Sequence, residues 1–222
     1  MKTCLKTACL LLCATTLSTN AATFSFYTNE SDFLNAVTGK PSFNETYASI
    51  TPWGTRLETN VFSFTNGSSF GYTANIPGTA PVFSFWGDTF GGVRALSTGN
   101  PATDVFVMTN FSLNTFAFGG YFFPSDGVNV VSGGSVTITT LFSDLSSTSV
   151  TNGRSSANLN NWFFGWVTDE PGTAIRSVTL TAGGDYASAA DVTLAVPEPS
   201  TYALLGLAAL GLAGYVIRRR RA

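Results

Sequence analysis

Histidine is absent from the 222 residues, and the three cysteines, Cys4, Cys9 and Cys13, all fall near the N-terminus. These two shortages exclude a great deal of chemistry. Without histidine there is no Ser-His-Asp triad and no imidazole base. Beyond residue 13 there is no thiol nucleophile, no disulfide and no zinc site built from His and Cys. Charge is scarce as well, with Asp, Glu, Lys and Arg at 11% of the chain. The chemistry left open is that of carboxylate pairs and of oxygen ligation of calcium.

The two ends of the chain are organised differently from the middle. Lys2 and Lys6 precede an apolar run from Ala8 to Leu17, followed by small residues. Thr19 and Ala21 fit the −3 and −1 positions of a secretory cleavage site, and the apolar run is too short to span a bilayer stably. Residues 1–21 therefore read as a signal peptide, a helix removed by signal peptidase near Ala21 or Ala22.

At the other end, no charged side chain occurs from Ser200 to Ile217, and Arg218, Arg219, Arg220 and Arg221 follow directly. A helix over that run would be about 27 Å long, close to the ~30 Å hydrocarbon core. Tyr202 and Tyr215 lie near its ends, where aromatic rings favour the membrane interface. Arginines next to a span stay on the cytoplasmic side, so the C-terminus is expected inside and the rest of the chain outside.

Setting aside the leader and the tail leaves residues 22–195, a length suited to one domain. Five basic residues there face twelve acidic ones, a net charge of −7. That balance excludes nucleic acid as a partner, since its binding needs clustered Lys and Arg. The patterning is β almost throughout. Val61–Phe64, the run ending at Trp86, Asp104–Met108, Phe111–Phe118, Ser135–Phe142, Asn161–Val167, Ser177–Ala182 and Asp191–Val196 are rich in Val, Thr, Phe and Ser. They are separated by Gly, Asn and Pro turn signals such as Asn66-Gly67, Gly133-Gly134 and Gly183-Gly184. In Phe111–Phe118 the apolar residues change parity, which predicts a bulge near Asn114. One helix is expected from about Glu30 to Thr38, capped by Thr28 or Asn29 and stopped by Gly39 and Pro41. The fold class is mainly β: a single sandwich, with a signal helix before it and a transmembrane helix after it. A short linker is expected before Pro197, since two prolines there block regular structure.

Val196-Pro197-Glu198-Pro199, the apolar span and the four arginines together resemble the sorting tail of PEP-CTERM proteins. With the tail taken as residues 196–222, the resemblance implies an exported protein of a Gram-negative bacterium that makes exopolysaccharide. It implies processing by exosortase near the Pro-Glu-Pro element. It also implies an inner-membrane intermediate, followed by delivery to the cell surface or extracellular matrix. The middle of the chain is similar to the jelly-roll-like domains that precede such tails, although Val192 stands where many of them carry Asn.

The candidate sites follow from residue types. Trp162 and Trp166 lie four apart in a strand-like run and would share one face, where they could stack on a sugar ring; a sandwich core would use the same rings. Glu45 and Asp191 would meet if the first and last strands pair, and two carboxylates with nearby carbonyls suit calcium. Ordinary turn acids would carry the same sequence signals. The resulting expectation is a non-enzymatic structural or adhesive protein associated with exopolysaccharide. The alternatives are a carbohydrate-binding module and, on weaker grounds, a two-carboxylate glycoside hydrolase, since no acid sits in a catalytic motif.

Overall fold

The computed structural model describes residues 23–50, 54–66, 70–78, 85–112, 114–126, 130–153, 158–168 and 173–197. The expected signal segment and the expected transmembrane span lie outside the described residues, as do Glu198, Pro199 and Arg218 to Arg221. No helix among the described residues is long and apolar enough to cross a membrane.

Among the described residues, fourteen strands and one short α-helix make up the fold. In chain order they are β1 (Phe24–Tyr27), α1 (Glu30–Ala36), β2 (Ser42–Glu45), β3 (Thr55–Leu57), β4 (Val61–Asn66), β5 (Phe70–Asn75), β6 (Phe85–Phe90) and β7 (Val93–Thr98). Then come β8 (Phe106–Thr109), β9 (Ala117–Ser125), β10 (Val136–Phe142), β11 (Ser147–Asn152), a 3₁₀ turn (Leu159–Trp162), β12 (Phe163–Thr168), β13 (Ile175–Ala182) and β14 (Tyr186–Ala195). They form two antiparallel sheets. The larger runs β1-β12-β9-β14-β7-β6-β3, with β2 also on β14; the smaller runs β11-β10-β13-β8-β5-β4.

Alternation decides which face of the smaller sheet is buried. Val136, Ile138 and Phe142 of β10 point inward with Val178 and Leu180 of β13 and Phe106 and Met108 of β8. Their neighbours Thr137, Thr139 and Thr179 point outward, the period-2 signature of a half-buried sheet. The larger sheet sends Phe122, Leu96, Trp166 and Phe85 into the same interior. Phe85 meets Phe106 edge-on at 5.0 Å, and Phe24 stacks on Phe142 at 5.5 Å, so aromatic pairs join the two layers.

The larger sheet is buried on both faces, which is why β9 shows no alternation: all nine of its residues are buried. On its outer face α1 packs against β12 and β9, and the 3₁₀ turn packs against β9. Asn29 caps α1, its side chain accepting from the Ser31 and Asp32 amides at 2.9 and 3.3 Å. The helix ends at Ala36, two residues short of the expected limit. Phe33 projects from it onto paired glycines, Gly119 of β9 and Gly165 of β12. A Cβ at Gly165 would stand 2.5 Å from the Phe33 ring, and one at Gly119 would stand 2.9 Å away. The two glycines make the groove into which Phe33 fits.

Three expectations are corrected here. Phe111–Phe118 is not a bulged strand. Asn114 sits at φ 64° in a connection between β8 and β9, which begins only at Ala117. The run Asn161–Val167 divides into a 3₁₀ turn ending at Trp162 and a strand from Phe163. No linker separates the domain from Pro197. β14 runs to Ala195, and the Val196 amide still donates to the Pro41 carbonyl at 3.1 Å.

Gly165→Ala is expected to destabilise the domain by about 1–3 kcal/mol, because the buried Phe33 ring has nowhere to move. Gly183→Ala, whose Cβ would meet nothing closer than 3.8 Å, is expected to be near neutral. Urea unfolding of the two variants beside the parent measures both.

Candidate functional site

The first site is the junction between domain and tail. β14 is an interior strand, bonded to β9 along one side and to β7 and then β2 along the other. Its last residues are tied on both sides: the Phe116 amide donates to the Ala195 carbonyl at 3.1 Å, and Ser42 lies opposite Ala195. Val196 is half-buried and Pro197 is exposed. The expected recognition residues therefore begin one residue beyond a fixed point of the fold.

The second is the acid pair. β2 does pair with β14, and Glu45 lies opposite Val192, next to Asp191. Asp191 is the extra residue of a β-bulge at φ 46°, at the point where β14 exchanges β7 for β2 as its neighbour. The Glu45 carboxylate turns back to accept the Tyr47 amide. Burial pushes the Glu45 carboxyl above its ordinary range, and the same is true of Asp191, where the charge of Glu30 adds to the effect. The acid whose charge acts on Asp191 is thus Glu30 of α1, which the sequence had not singled out. The Tyr121 hydroxyl donates to Glu30 at 2.6 Å. Among the described residues no three His, Cys, Asp or Glu side chains gather in a way that could hold a metal ion.

Trp162 and Trp166 do not form a platform. Both are fully buried, and they belong to different elements. Trp166 faces the interior, 5.4 Å from Phe26 and 6.2 Å from Phe118. Trp162 closes the 3₁₀ turn that covers the other side of the sheet. The strand break after Trp162 removes the spacing on which a shared face depended.

A different surface presents polar groups outward. Across the six strands of the smaller sheet, Arg176 is the one charged residue. The outer face instead carries hydroxyls in register: Thr137 bonds Thr151 at 2.9 Å, and Thr139 bonds Ser149 at 2.8 Å, with Thr179 and Thr181 beside them. At one end this face opens into a cleft of about 630 Å³ lined by Asn110, Phe111, Asn114, Ser143, Arg176 and neighbouring hydroxyls. Asn110 and Asn114 both adopt left-handed backbone, at φ 53° and 64°. Two smaller openings, of about 400 and 280 Å³, lie by Val130 and Asn158 and by Arg94 and Asp191. Arg94 donates to the Ala48 carbonyl at 2.7 Å.

Two buried polar arrays were not legible in the sequence. Tyr72 donates to Tyr47 at 2.9 Å with both rings buried, and burial raises both phenols well above their usual range. On the covered side of the larger sheet, hydroxyls form a row across three strands. Ser97 meets Ser188 at 2.8 Å, and Ser188 meets Ser125 at 2.9 Å. The row ends on Asp88, which accepts from Ser97 and whose Oδ2 has no partner. Asp88 is 3% exposed. Burial raises its carboxyl, the Ser97 bond works against that, and the charge of Asp126 adds to it.

Residues 195–221 match the family model of the PEP-CTERM protein-sorting motif. The match covers the tail and the last residue of β14. No curated protein and no solved structure matches the chain. The chain therefore carries a C-terminal sorting signal of the kind processed by exosortase, and it is an exported protein.

The buried acids set a pH dependence. A carboxyl raised in the folded state holds its proton more tightly there than in the unfolded chain. Its contribution is complete below the ordinary carboxylate range and is lost as pH rises through the raised value. Melting temperature is expected to fall as pH rises from about 4 to about 7. Asp88→Asn should flatten part of that decline; a decline unchanged in the variant would show that Asp88 plays no part in it.

Proposed function

We propose that the protein is a non-enzymatic surface or matrix component. It is held in the inner membrane by its tail with the C-terminus inside, and is then passed by exosortase to the cell surface or the extracellular matrix. There it has a structural or adhesive role associated with exopolysaccharide. The carrying observation is the sorting motif at residues 195–221. The order of parts in the tail gives the orientation, since arginines beside a span resist transfer across the bilayer.

A second reading, carbohydrate binding, has its own support in the neutral hydroxyl face and the cleft at its end. Sugar hydroxyls are met by short polar side chains and amides, with one aromatic ring for apolar contact. Asn110, Asn114, Ser143 and Phe111 supply that set, in place of Trp162 and Trp166.

Intact-mass measurement of the mature protein from its own host tests the first reading. The expected mass lacks residues 1–21 and everything after about Pro199. A mature protein that keeps Arg218 to Arg221 would mean that the tail anchors and is not processed. For the second reading, retention of the domain on immobilised host polysaccharide is expected to weaken by roughly tenfold on Asn114→Ala with Arg176→Ala, as for the loss of one or two good hydrogen bonds. Retention unchanged in that double variant would retire the cleft.

A further inference from the structure

The chain enters and leaves the domain at one pole. Phe24 at the start of β1 pairs with Thr168 at the end of β12. The Thr168 amide donates to the Phe116 carbonyl at 2.8 Å, and the Phe116 amide to the Ala195 carbonyl at 3.1 Å. The row continues to Ser42, opposite Ala195, and the Val196 amide donates to Pro41. The smaller sheet ends at the same level, since the Ile175 amide donates to Thr115 at 2.7 Å and Ser143 to Ala174 at 2.8 Å. The turn that follows β10 therefore stands on this pole. Its tip, Leu145, is 68% exposed at φ 70°, the most exposed large apolar side chain among the described residues.

The tether between the domain and the uncharged run is short. Val196 is fixed to Pro41, and the uncharged run opens at Ser200, four Cα steps later. Even fully extended, those steps cover at most about 14 Å. Two of the three residues between are proline, which narrows the chain's freedom further. β14 itself, from Tyr186 to Ala195, extends about 30 Å away from the junction.

From this geometry we propose that, before the tail is cut, the domain is docked pole-down on the outer face of the lipid bilayer, with Leu145 dipping into the interface and the β13–β14 turn pointing away. The docking rests on the reading of the tail as a membrane anchor and adds to it an orientation and a contacting surface. The partner is a lipid surface, because the short tether brings this pole to the headgroup layer and an unpartnered leucine stands at its tip. The domain's net charge of −7 argues against a broad electrostatic footprint. The contact is set by tether length and one apolar residue.

The segment after residue 13 has no cysteine, so single probes can be placed there. The full chain would be produced in a host without exosortase, so that the tail is kept, with Leu145→Cys or Gly183→Cys carrying an environment-sensitive fluorophore. Gly183 lies at the far end of β13, is exposed and has room for a side chain. Brominated phospholipid is expected to quench the probe at 145 at least about threefold more than the probe at 183. Twelve or so Gly/Ser residues inserted between Val196 and Pro197 should abolish the difference, because the domain then drifts free over tens of ångströms. Equal quenching at the two sites, in a chain that resists alkaline extraction from the membrane, overturns the docking. A chain released by alkaline extraction overturns the anchor reading, and the docking with it.

Discussion

The pairing of β14 is the constraint on which the rest of the structure depends. It is the longest strand among those described, with backbone partners along both sides. It holds β9 on one side and divides the other between β7 and β2. That division requires a local break in register, which the bulge at Asp191 supplies. Without the bulge, β2 could not follow β7 onto the same edge, and the pole from which the tail departs would lack its closing strand. The acids drawn to this place, Glu45 from one element and Glu30 from another, are consequences of the break. Burial raises the Glu45 carboxyl, and that of Asp191 beside it, above the ordinary carboxylate range.

A second layer of dependence runs through small residues. Gly119 and Gly165 make room for Phe33, and Ala187, Ala189 and Ala190 let β14 lie flat between neighbours. The aromatic side chains then fill both faces of the larger sheet, leaving the smaller sheet as the one that shows a patterned surface to solvent. Trp162 and Trp166 are absorbed by this demand for volume. A chain so rich in phenylalanine, with an eight-stranded sheet covered on both sides, uses its largest rings as filler.

The parts legible in the sequence were those with strict periods or fixed order. The alternation of Ser135–Phe142 and Ser177–Ala182 marked β10 and β13 to within two residues, because each has one wet face. Asn29 and the residues after it marked α1. The tail was readable because its parts follow a fixed order, the one the sorting-motif model matches at residues 195–221. β9 and the first half of β14 gave little signal, since strands buried on both faces lose alternation and Ala187–Ala190 is built from small residues with weak strand preference. The Asp88–Ser97–Ser188–Ser125 row was invisible for another reason: its members are far apart in the chain, and only the sheet order brings them together. Asn114 misled because a residue in left-handed backbone ends a strand as readily as it bulges one.

The way β14 is seated also decides how the molecule bears load. A domain held through its C-terminus, whether by a bilayer span or by whatever the processed end is joined to, is pulled along this strand. Its ladders on both flanks lie parallel to that pull, so they would have to slide past one another together and cannot be peeled open bond by bond. Tension applied at Ala195 would therefore load the sheet in shear, with both flanking ladders engaged at once.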